Sequence, residues 1–234
     1  MTRTYRSPSR QADAAATRAA IVAAAEKLFV RDGYAATSLK AIAGEAGVSI
    51  ATVQLQGSKH TLLIAAFEVA FAGDEGTHSL AERPALAAIM AEPDFATAVT
   101  RYVEFLDDAN QRAAGIVRAM SAAADADPLA RTAFAELEQR RHRDMLIAVG
   151  WFAGRGRIPA DRVEDAADVL SYITGADAYL HFTRARGWSR PRWRSWTIGQ
   201  LSRLADQLPN VPDAAADAAA PDTTGVPAGH PAAS

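Results

Sequence analysis

The amino-acid sequence predicts an all-α fold in which a small three-helix head precedes a larger helical body. Apolar residues recur at helical spacing, as at Ile21, Ala25 and Leu28, so each predicted helix has one apolar face. The sequence lacks the sustained alternation of apolar and polar residues that marks a half-buried strand. Prolines stand at the inferred helix starts of the body, where a missing backbone N–H costs little.

Capping residues divide the first part of the chain into four helices. An N-cap side chain accepts a hydrogen bond from a free backbone N–H, and glycine adopts the left-handed conformation that ends many helices. Thr17, Ser49 and Ser58 are the expected N-caps, and Gly33 and Gly47 are the expected stops. These signals predict helices over about 17–33, 38–46, 49–56 and 58–71.

The helical pattern continues beyond a polar, glycine-bearing junction. Further helices are predicted over about 84–91, 94–108, 111–124, 127–152, 161–186 and 192–207. From residue 209 the chain has almost no bulky apolar residue, which predicts disorder. The expected organisation is a flexible basic arm over 1–16, a helix-turn-helix domain over 17–60, a helical body over 61–208 and a disordered tail over 209–234.

Composition excludes several classes of protein. The 234 residues are 49% hydrophobic and 22% charged, the balance of a globular protein. No apolar run is long enough for a membrane span and the N-terminus has no signal-peptide core, so we expect a cytoplasmic protein with no membrane partner. There are no cysteines and the five histidines lack ligand spacing, so we expect no metal and no cofactor.

Charge is distributed unevenly along the chain. Residues 1–60 hold eight Lys and Arg against four Asp and Glu, whereas the whole chain carries a net charge of −2. A basic head therefore precedes an acidic body. This layout is typical of a protein that sets one end against phosphates, although it is not restricted to such proteins.

The second and third predicted helices, joined at Gly47, have the spacing of a helix-turn-helix. In that motif the first helix braces the second, whose outward side chains face base edges in the major groove. Hydroxyl and ammonium groups nearby meet phosphates, and Val53 should face inward. The alternative is an ordinary helical corner that ends in glycine. The predicted DNA-binding residues are Thr37, Ser38, Lys40, Ser49, Ile50, Ala51, Thr52, Gln54, Leu55, Ser58 and Lys59.

The same stretch, over about residues 17–71, resembles the N-terminal domain of the TetR family of regulators. The motifs that carry the resemblance are Thr17-Arg-Ala-Ala-Ile, Leu28-Phe29, Gly33-Tyr34, Ala36-Thr37-Ser38, Ile42-Ala43, Ala46-Gly47-Val48-Ser49, Thr52-Val53, Gly57-Ser58-Lys59 and Leu62-Leu63. Near the other end, Arg186-Gly187-Trp188-Ser189 followed by Trp193 and Trp196 is similar to the last two helices of many actinobacterial-type members.

The resemblance implies a function and a quaternary structure. It implies a homodimer on double-stranded operator DNA, paired through the helices over about 161–186 and 192–207. It also implies an effector pocket among the middle helices, so that the body binds ligand and dimerises. The expected function is that of a ligand-responsive transcriptional regulator, a repressor that a small apolar or amphipathic molecule releases. The three tryptophans near the end are expected at the dimer seam.

The sequence departs from the family pattern at the predicted recognition helix. Members usually have a tyrosine two residues after the threonine that corresponds to Thr52, whereas this chain has Gln54. The aromatic residue before Gly57 is missing, and the link from Thr52 to Gly57 is one residue shorter than is common. Gln54 either recognises an adenine edge through a bidentate pair or holds a phosphate.

Large apolar residues at helical spacing are the candidates for the effector pocket, although most such residues serve as plain core. Arg118 and His181 are the candidate polar groups. The candidate lining residues are Tyr102, Phe105, Met120, Met145, Phe152, Tyr172 and Tyr179.

Two other classes of protein are alternatives to the regulator. The sequence has no nucleophile elbow, phosphate-binding loop or zinc-protease motif, so we expect no enzymatic activity. The second class is a helical dimeric interaction or ligand-binding protein whose DNA recognition has degenerated. The altered recognition helix is the feature that favours it.

Overall fold

The computed structural model describes residues 8–76, 79–204 and 208, and within them the prediction of an all-α fold is confirmed. No helix in these stretches is long and apolar enough to cross a membrane. Short 3-10 turns at Leu80–Glu82 and Ala160–Arg162 join some of the helices. The α-helices are α1 (Pro8–Ala36), α2 (Leu39–Ala46), α3 (Ile50–Gln56), α4 (Lys59–Ala72), α5 (Pro84–Met90), α6 (Phe95–Ala126), α7 (Pro128–Ala153), α8 (Val163–Thr174), α9 (Ala176–Leu180) and α10 (Arg190–Ser202).

Helix α1 begins earlier than the sequence predicted. It starts at Pro8, so residues 8–16 are helical and the prediction of a flexible arm there is wrong. Four of these nine residues are alanine, the residue that favours helix most. Thr17 lies inside the helix, and its hydroxyl donates to the Asp13 carbonyl at 2.9 Å. Residues 1–7 of the predicted arm, and the predicted tail over 209–234, lie outside the described residues.

One hydrophobic core joins the head to the body. Helices α1 and α4 both pack on α6, and buried residues such as Ile21, Leu62 and Ile116 belong to a single cluster. Gly115 permits the close approach of α1 to α6, because a Cβ at this position would lie 2.8 Å from a methyl carbon of Val30. The head is therefore fixed to the body by shared packing.

Helix α6 corrects the prediction of two helices over 94–108 and 111–124. The predicted break falls at residues 109–110, but Asp107 and Asn110 are both fully buried on one continuous helix. The Asp107 carboxylate accepts from the Tyr179 hydroxyl at 3.1 Å and from Arg190 Nε at 2.9 Å. Asn110 Nδ2 donates to the Thr174 carbonyl at 3.1 Å. The Asp107 carboxylate and the Asn110 amide nitrogen therefore find partners on other elements of the body, as buried polar groups generally do.

The predicted helix over 161–186 is divided at Gly175 into α8 and α9, and a π-helical turn at His181–Ala185 follows α9. A Cβ on Gly175 would lie 2.8 Å from the Ser171 carbonyl oxygen, so the kink requires glycine. The predicted helix over 192–207 is α10, which the Ser189 side chain caps. Residues 205–207 lie outside the described part of the chain.

Trp193 lies in the core of its own chain, so the prediction that it lies at a dimer seam is wrong. Its side chain is fully buried, and its ring packs edge-to-face on Tyr179 with the centroids 4.9 Å apart. Trp188 and Trp196 instead pack around Phe182, at centroid distances of 4.4 and 4.6 Å. These aromatic contacts hold α10 against α9 and the π-helical turn.

Asp107→Asn tests the buried carboxylate that α6 presents to α9 and α10. Loss of the charge weakens the bonds from Tyr179 and Arg190, so the free energy of unfolding should fall by about 2 kcal/mol. Asp108→Asn is the matched control, because Asp108 also pairs with Arg190 but is 62% exposed and should lower it by less than about 1 kcal/mol. Chemical denaturation measures both, and equal losses would contradict this role for Asp107.

Candidate functional site

The corner between α2 and α3 has the geometry of a helix-turn-helix. Gly47 adopts a left-handed conformation with φ 68° and ψ 28°, which a residue with a side chain rarely adopts. The Val48 N–H then donates to the Ala43 carbonyl at 3.0 Å and closes the turn. The Ser49 hydroxyl accepts from the Thr52 N–H at 3.0 Å and caps α3. The serine cap and the glycine stop predicted for this corner are both observed.

Helix α3 turns one face into the protein and the other outward. Val53 is fully buried, whereas Leu55 is 86% exposed and Ile50 is 42% exposed. Ala51 and Gln54 are exposed on the same outer face. These residues lie where the sequence predicted them, and their contacts with DNA stay a prediction.

The candidate phosphate-binding groups are arranged around α3, with one exception. Ser38 and Ser58 are exposed N-caps of α2 and α4, and the Lys40 side chain is exposed on α2. Each cap oxygen accepts a backbone N–H. The Ser38 hydroxyl hydrogen can still be donated, whereas the Ser58 hydroxyl also lies 2.9 Å from His60 Nε2 and 2.8 Å from the Thr61 hydroxyl. Thr37 is the exception, because it is buried and its hydroxyl donates to the Gly33 carbonyl at 2.8 Å. It braces the corner between α1 and α2 and does not face solvent.

Lys59 takes part in a junction between the head and the body. Its Nζ lies 4.0 Å from the centre of the Tyr34 ring, and partial burial lowers the pKa of the ammonium group. The Tyr34 hydroxyl donates to Asp127 Oδ2 at 2.6 Å, at the corner between α6 and α7. Burial and this bond raise the pKa of Tyr34, and the same bond lowers the pKa of Asp127. The junction was not predicted, since Tyr34 and Asp127 are far apart in the chain.

The end of α3 is fixed by contacts that accommodate its short link to α4. Gly57 has φ 138°, and a Cβ there would approach the Thr61 side chain at 3.1 Å. Arg18 on α1 donates from Nη1 to the Gln56 carbonyl at 2.7 Å and pairs with Glu75 through Nη2 at 2.6 Å. One arginine thus connects α1, the last turn of α3 and the segment after α4. Arg18 was visible in the sequence only as part of the family motif.

A cavity lined mainly by apolar side chains lies in the body. Four of the candidate lining residues are found there: Tyr102, Phe105, Met145 and Phe152. Phe71 of α4 also lines it.

The other three candidates lie elsewhere. Met120 and Tyr172 line a different groove, and Tyr172 is 75% exposed. Tyr179 lines neither space and is buried beside Asp107. The pattern of apolar spacing could not separate these three residues from the four that line the cavity, because all seven are large side chains of the kind that fill helical cores.

The polar groups of the cavity differ from those expected. Arg118 and His181 are exposed on the surface, so their candidacy is wrong. Arg141, Asp144 and Thr174 line the cavity instead.

Most of these polar groups already have partners. Asp144 accepts from the Ser79 hydroxyl at 2.5 Å and from the Leu80 N–H at 3.3 Å, and the Thr174 hydroxyl donates to the Leu170 carbonyl at 2.7 Å. Among the described residues, Arg141 donates to Glu138 through Nη1 alone, which leaves its other N–H groups for a ligand. Burial also raises the pKa of the Tyr102 hydroxyl to about 12, so it remains protonated at neutral pH.

The head and the overall fold both match known proteins. Residues 21–66 match the family model of bacterial regulatory proteins of the TetR family. This match confirms the resemblance predicted from the sequence. No curated protein sequence matches the chain.

Solved structures share the fold over most of the chain. A protein from Mesorhizobium loti MAFF303099, described as a TetR-family transcriptional regulator, has a TM-score of 0.61 and 20% identity over 82% of this chain and 96% of that one. A transcriptional regulator from Rhodococcus sp. Rha1 has a TM-score of 0.58 and 19% identity over 83% and 99% of the two chains. MexZ, a repressor responsible for antibiotic resistance in Pseudomonas aeruginosa, has a TM-score of 0.52 and 23% identity over 82% and 96%.

Tyr34→Phe tests the junction between the head and the body. The variant removes the hydrogen bond that lowers the pKa of Asp127, so it should be less stable than the wild type at neutral pH. A lowered carboxyl pKa stabilises the fold at pH values above the ordinary carboxyl pKa of about 4. This stabilisation is lost as the pH falls through the lowered pKa, so the difference in stability between the two proteins should narrow at low pH. Denaturant unfolding over a series of pH values measures it. A stability difference that does not change with pH would contradict the linkage.

Proposed function

We propose that this chain is a homodimeric, ligand-responsive transcriptional regulator. Residues 21–66 match the TetR-family model, and the chain shares its overall fold with a protein described as a TetR-family transcriptional regulator. The chain binds double-stranded operator DNA through α3, and a small amphipathic molecule in the body cavity releases it. The main support for DNA binding is the exposed outer face of α3. Val53 anchors the inner face of this helix in the core, and the turn at Gly47 sets its direction. The regulator acts in the cytoplasm, where its operator DNA lies.

The dimensions of α3 suit the major groove of DNA. Its seven residues span about 10 Å at the rise of an α-helix, and the groove is about 12 Å wide. Lys40 and the exposed cap hydroxyls of Ser38 and Ser58 flank this helix and supply contacts to the backbone. Phosphate contacts set the register and most of the affinity, and the outer face of α3 supplies the sequence preference.

Two copies of α3 require a dimer, which we place at α8 to α10. Tyr172 on α8 is 75% exposed, and exposed aromatic rings are enriched in the cores of protein interfaces. Dimerisation through the body leaves both heads free for successive major grooves. Half-sites then lie about one helical turn apart, or a multiple of it.

Helix α4 connects the cavity to the head. Phe71, near its end, lines the cavity, whereas Ser58 caps its start directly after α3. A ligand that displaces Phe71 therefore shifts α4, and with it α3, which directly precedes α4 in the chain. The ligand must bind more tightly to the conformation that is free of DNA than to the conformation that binds DNA, because only a difference in affinity shifts the equilibrium between two conformations. The spare N–H groups of Arg141 favour a ligand with an apolar part and one acceptor or anionic group.

A gel-shift assay with the DNA upstream of the chain's own coding sequence tests the proposal. At low salt the wild type should shift this duplex as a dimer, and sedimentation should give twice the chain mass. A monomer with no shift at low salt would overturn the proposal and would favour a helical ligand-binding protein without DNA recognition.

Lys40→Ala tests the phosphate contacts of the head. The variant should weaken binding to all duplexes alike and reduce the slope of log affinity against log salt by about one for each phosphate that is no longer neutralised. Arg101→Ala is the control, because Arg101 is an exposed cation that pairs with Glu92 in the body, and it should leave the slope unchanged. If Lys40→Ala altered the preference for a single base pair, its phosphate role would be wrong.

Ala148→Trp tests the cavity as the effector site. The wild type should enhance the fluorescence of 8-anilinonaphthalene-1-sulfonate, an amphipathic anion, and this probe should weaken the gel shift. Ala148 lines the cavity, so an indole there should reduce both effects. The control Ala135→Trp lies at an exposed position of the same helix and should preserve them. Unchanged fluorescence and release in Ala148→Trp would place the probe elsewhere.

A further inference from the structure

The outer face of α3 is almost entirely apolar. The helix contains no charged residue, and its most exposed side chain is Leu55, at 86%. Ile50 adds a second exposed apolar side chain, and Gln54 is the hydrogen-bonding group between them. Direct recognition of guanine commonly uses arginine or lysine, and recognition of cytosine uses a carboxylate. Helix α3 supplies none of these groups.

An apolar side chain in the major groove has one distinctive partner among the base edges. Only thymine presents a methyl group there, at C5, and it contacts apolar side chains. Leu55 and Ala51 lie one turn apart on the same side of the helix, and the small Ala51 side chain leaves Leu55 projecting beyond its neighbour. The length of α3 allows its last turn to enter the groove together with its first.

We propose that Leu55 determines specificity by contacting the C5 methyl group of a thymine in each half-site. The inference rests on the proposed function, since it requires α3 to enter the major groove. A single exposed leucine is ordinary on a protein surface, but Leu55 occupies the outer face of the helix that the turn at Gly47 directs away from the core.

The charges around α3 suit a polyanionic partner. Lys40 is exposed on the neighbouring helix, and the nearby acid Glu45 is paired with Lys27 at 2.5 Å. Leu55 therefore projects from a surface on which the Lys40 ammonium group and the Ser38 hydroxyl are exposed. Duplex DNA, with its negative backbone and thymine methyl groups, offers both partners at once.

Deoxyuridine substitution gives a direct test, because uracil differs from thymine only by the absence of the methyl group. The wild-type protein first selects a duplex from a random pool. Each thymine of that duplex is then replaced singly by deoxyuridine, and affinities are measured for the wild type and for Leu55→Ala. We expect one position in each half-site at which deoxyuridine weakens wild-type binding by about fourfold, the effect of losing one buried methyl group. Leu55→Ala should be insensitive to deoxyuridine at that position.

Two further variants separate contact with the methyl group from general damage. Leu55→Met keeps an apolar side chain of similar size and should retain the deoxyuridine effect. Leu129→Ala removes another leucine, which is 63% exposed and lies on α7, and should behave as the wild type. Because Leu55 is exposed, Leu55→Ala should keep the helical circular dichroism of the wild type.

Three outcomes would overturn the inference, and they can be told apart. Wild-type binding that is insensitive to deoxyuridine at every position would show that no thymine methyl group is recognised. An equal deoxyuridine effect in the wild type and Leu55→Ala would assign the methyl contact to another residue. Failure of the wild type to bind any duplex at low salt would overturn the proposed function as well, whereas the first two outcomes leave it intact.

Discussion

The packing of α1 and α4 against α6 is the constraint on which the rest of the structure depends. These helices bury one continuous set of apolar side chains, and Gly115 lets α1 approach α6 closely. The orientation of α3 then follows, because Val53 fixes its inner face and Arg18 fixes its last turn to α1. Because the head and the body share this core, a movement of the body also moves the head and the outer face of α3.

The same packing explains how one side chain in the body can affect a helix in the head. Helix α4 contributes Phe71 to the cavity at one end and follows α3 directly at the other. A second connection runs through Tyr34, which contacts Lys59 at the start of α4 and Asp127 between α6 and α7. Dense interiors resist compression, so under the proposed function a change in the shape of the cavity shifts α4 and, with it, α3.

Local signals in the sequence predicted much of this arrangement, and long-range contacts account for what they missed. Caps and glycine stops act within one turn, so Gly47, Ser49 and the inward Val53 followed from the sequence. The continuity of α6 did not, because Asp107 is satisfied by Arg190, 83 residues away. Four of the seven candidate residues line the cavity, because apolar spacing identifies the buried face of a helix but cannot show which part of that face borders a cavity. Arg18 and Gln56 meet 38 residues apart in the chain.

Methylation protection with dimethyl sulfate tests the central claim, that two copies of α3 enter major grooves on one side of the duplex. The reagent methylates guanine N7 in the major groove and adenine N3 in the minor groove, so it distinguishes the two. With the wild-type protein bound, we predict protection of guanine N7 in two patches about 10–10.5 base pairs apart, or a multiple of this spacing. Protection confined to adenine N3, or to a single patch, would contradict the account.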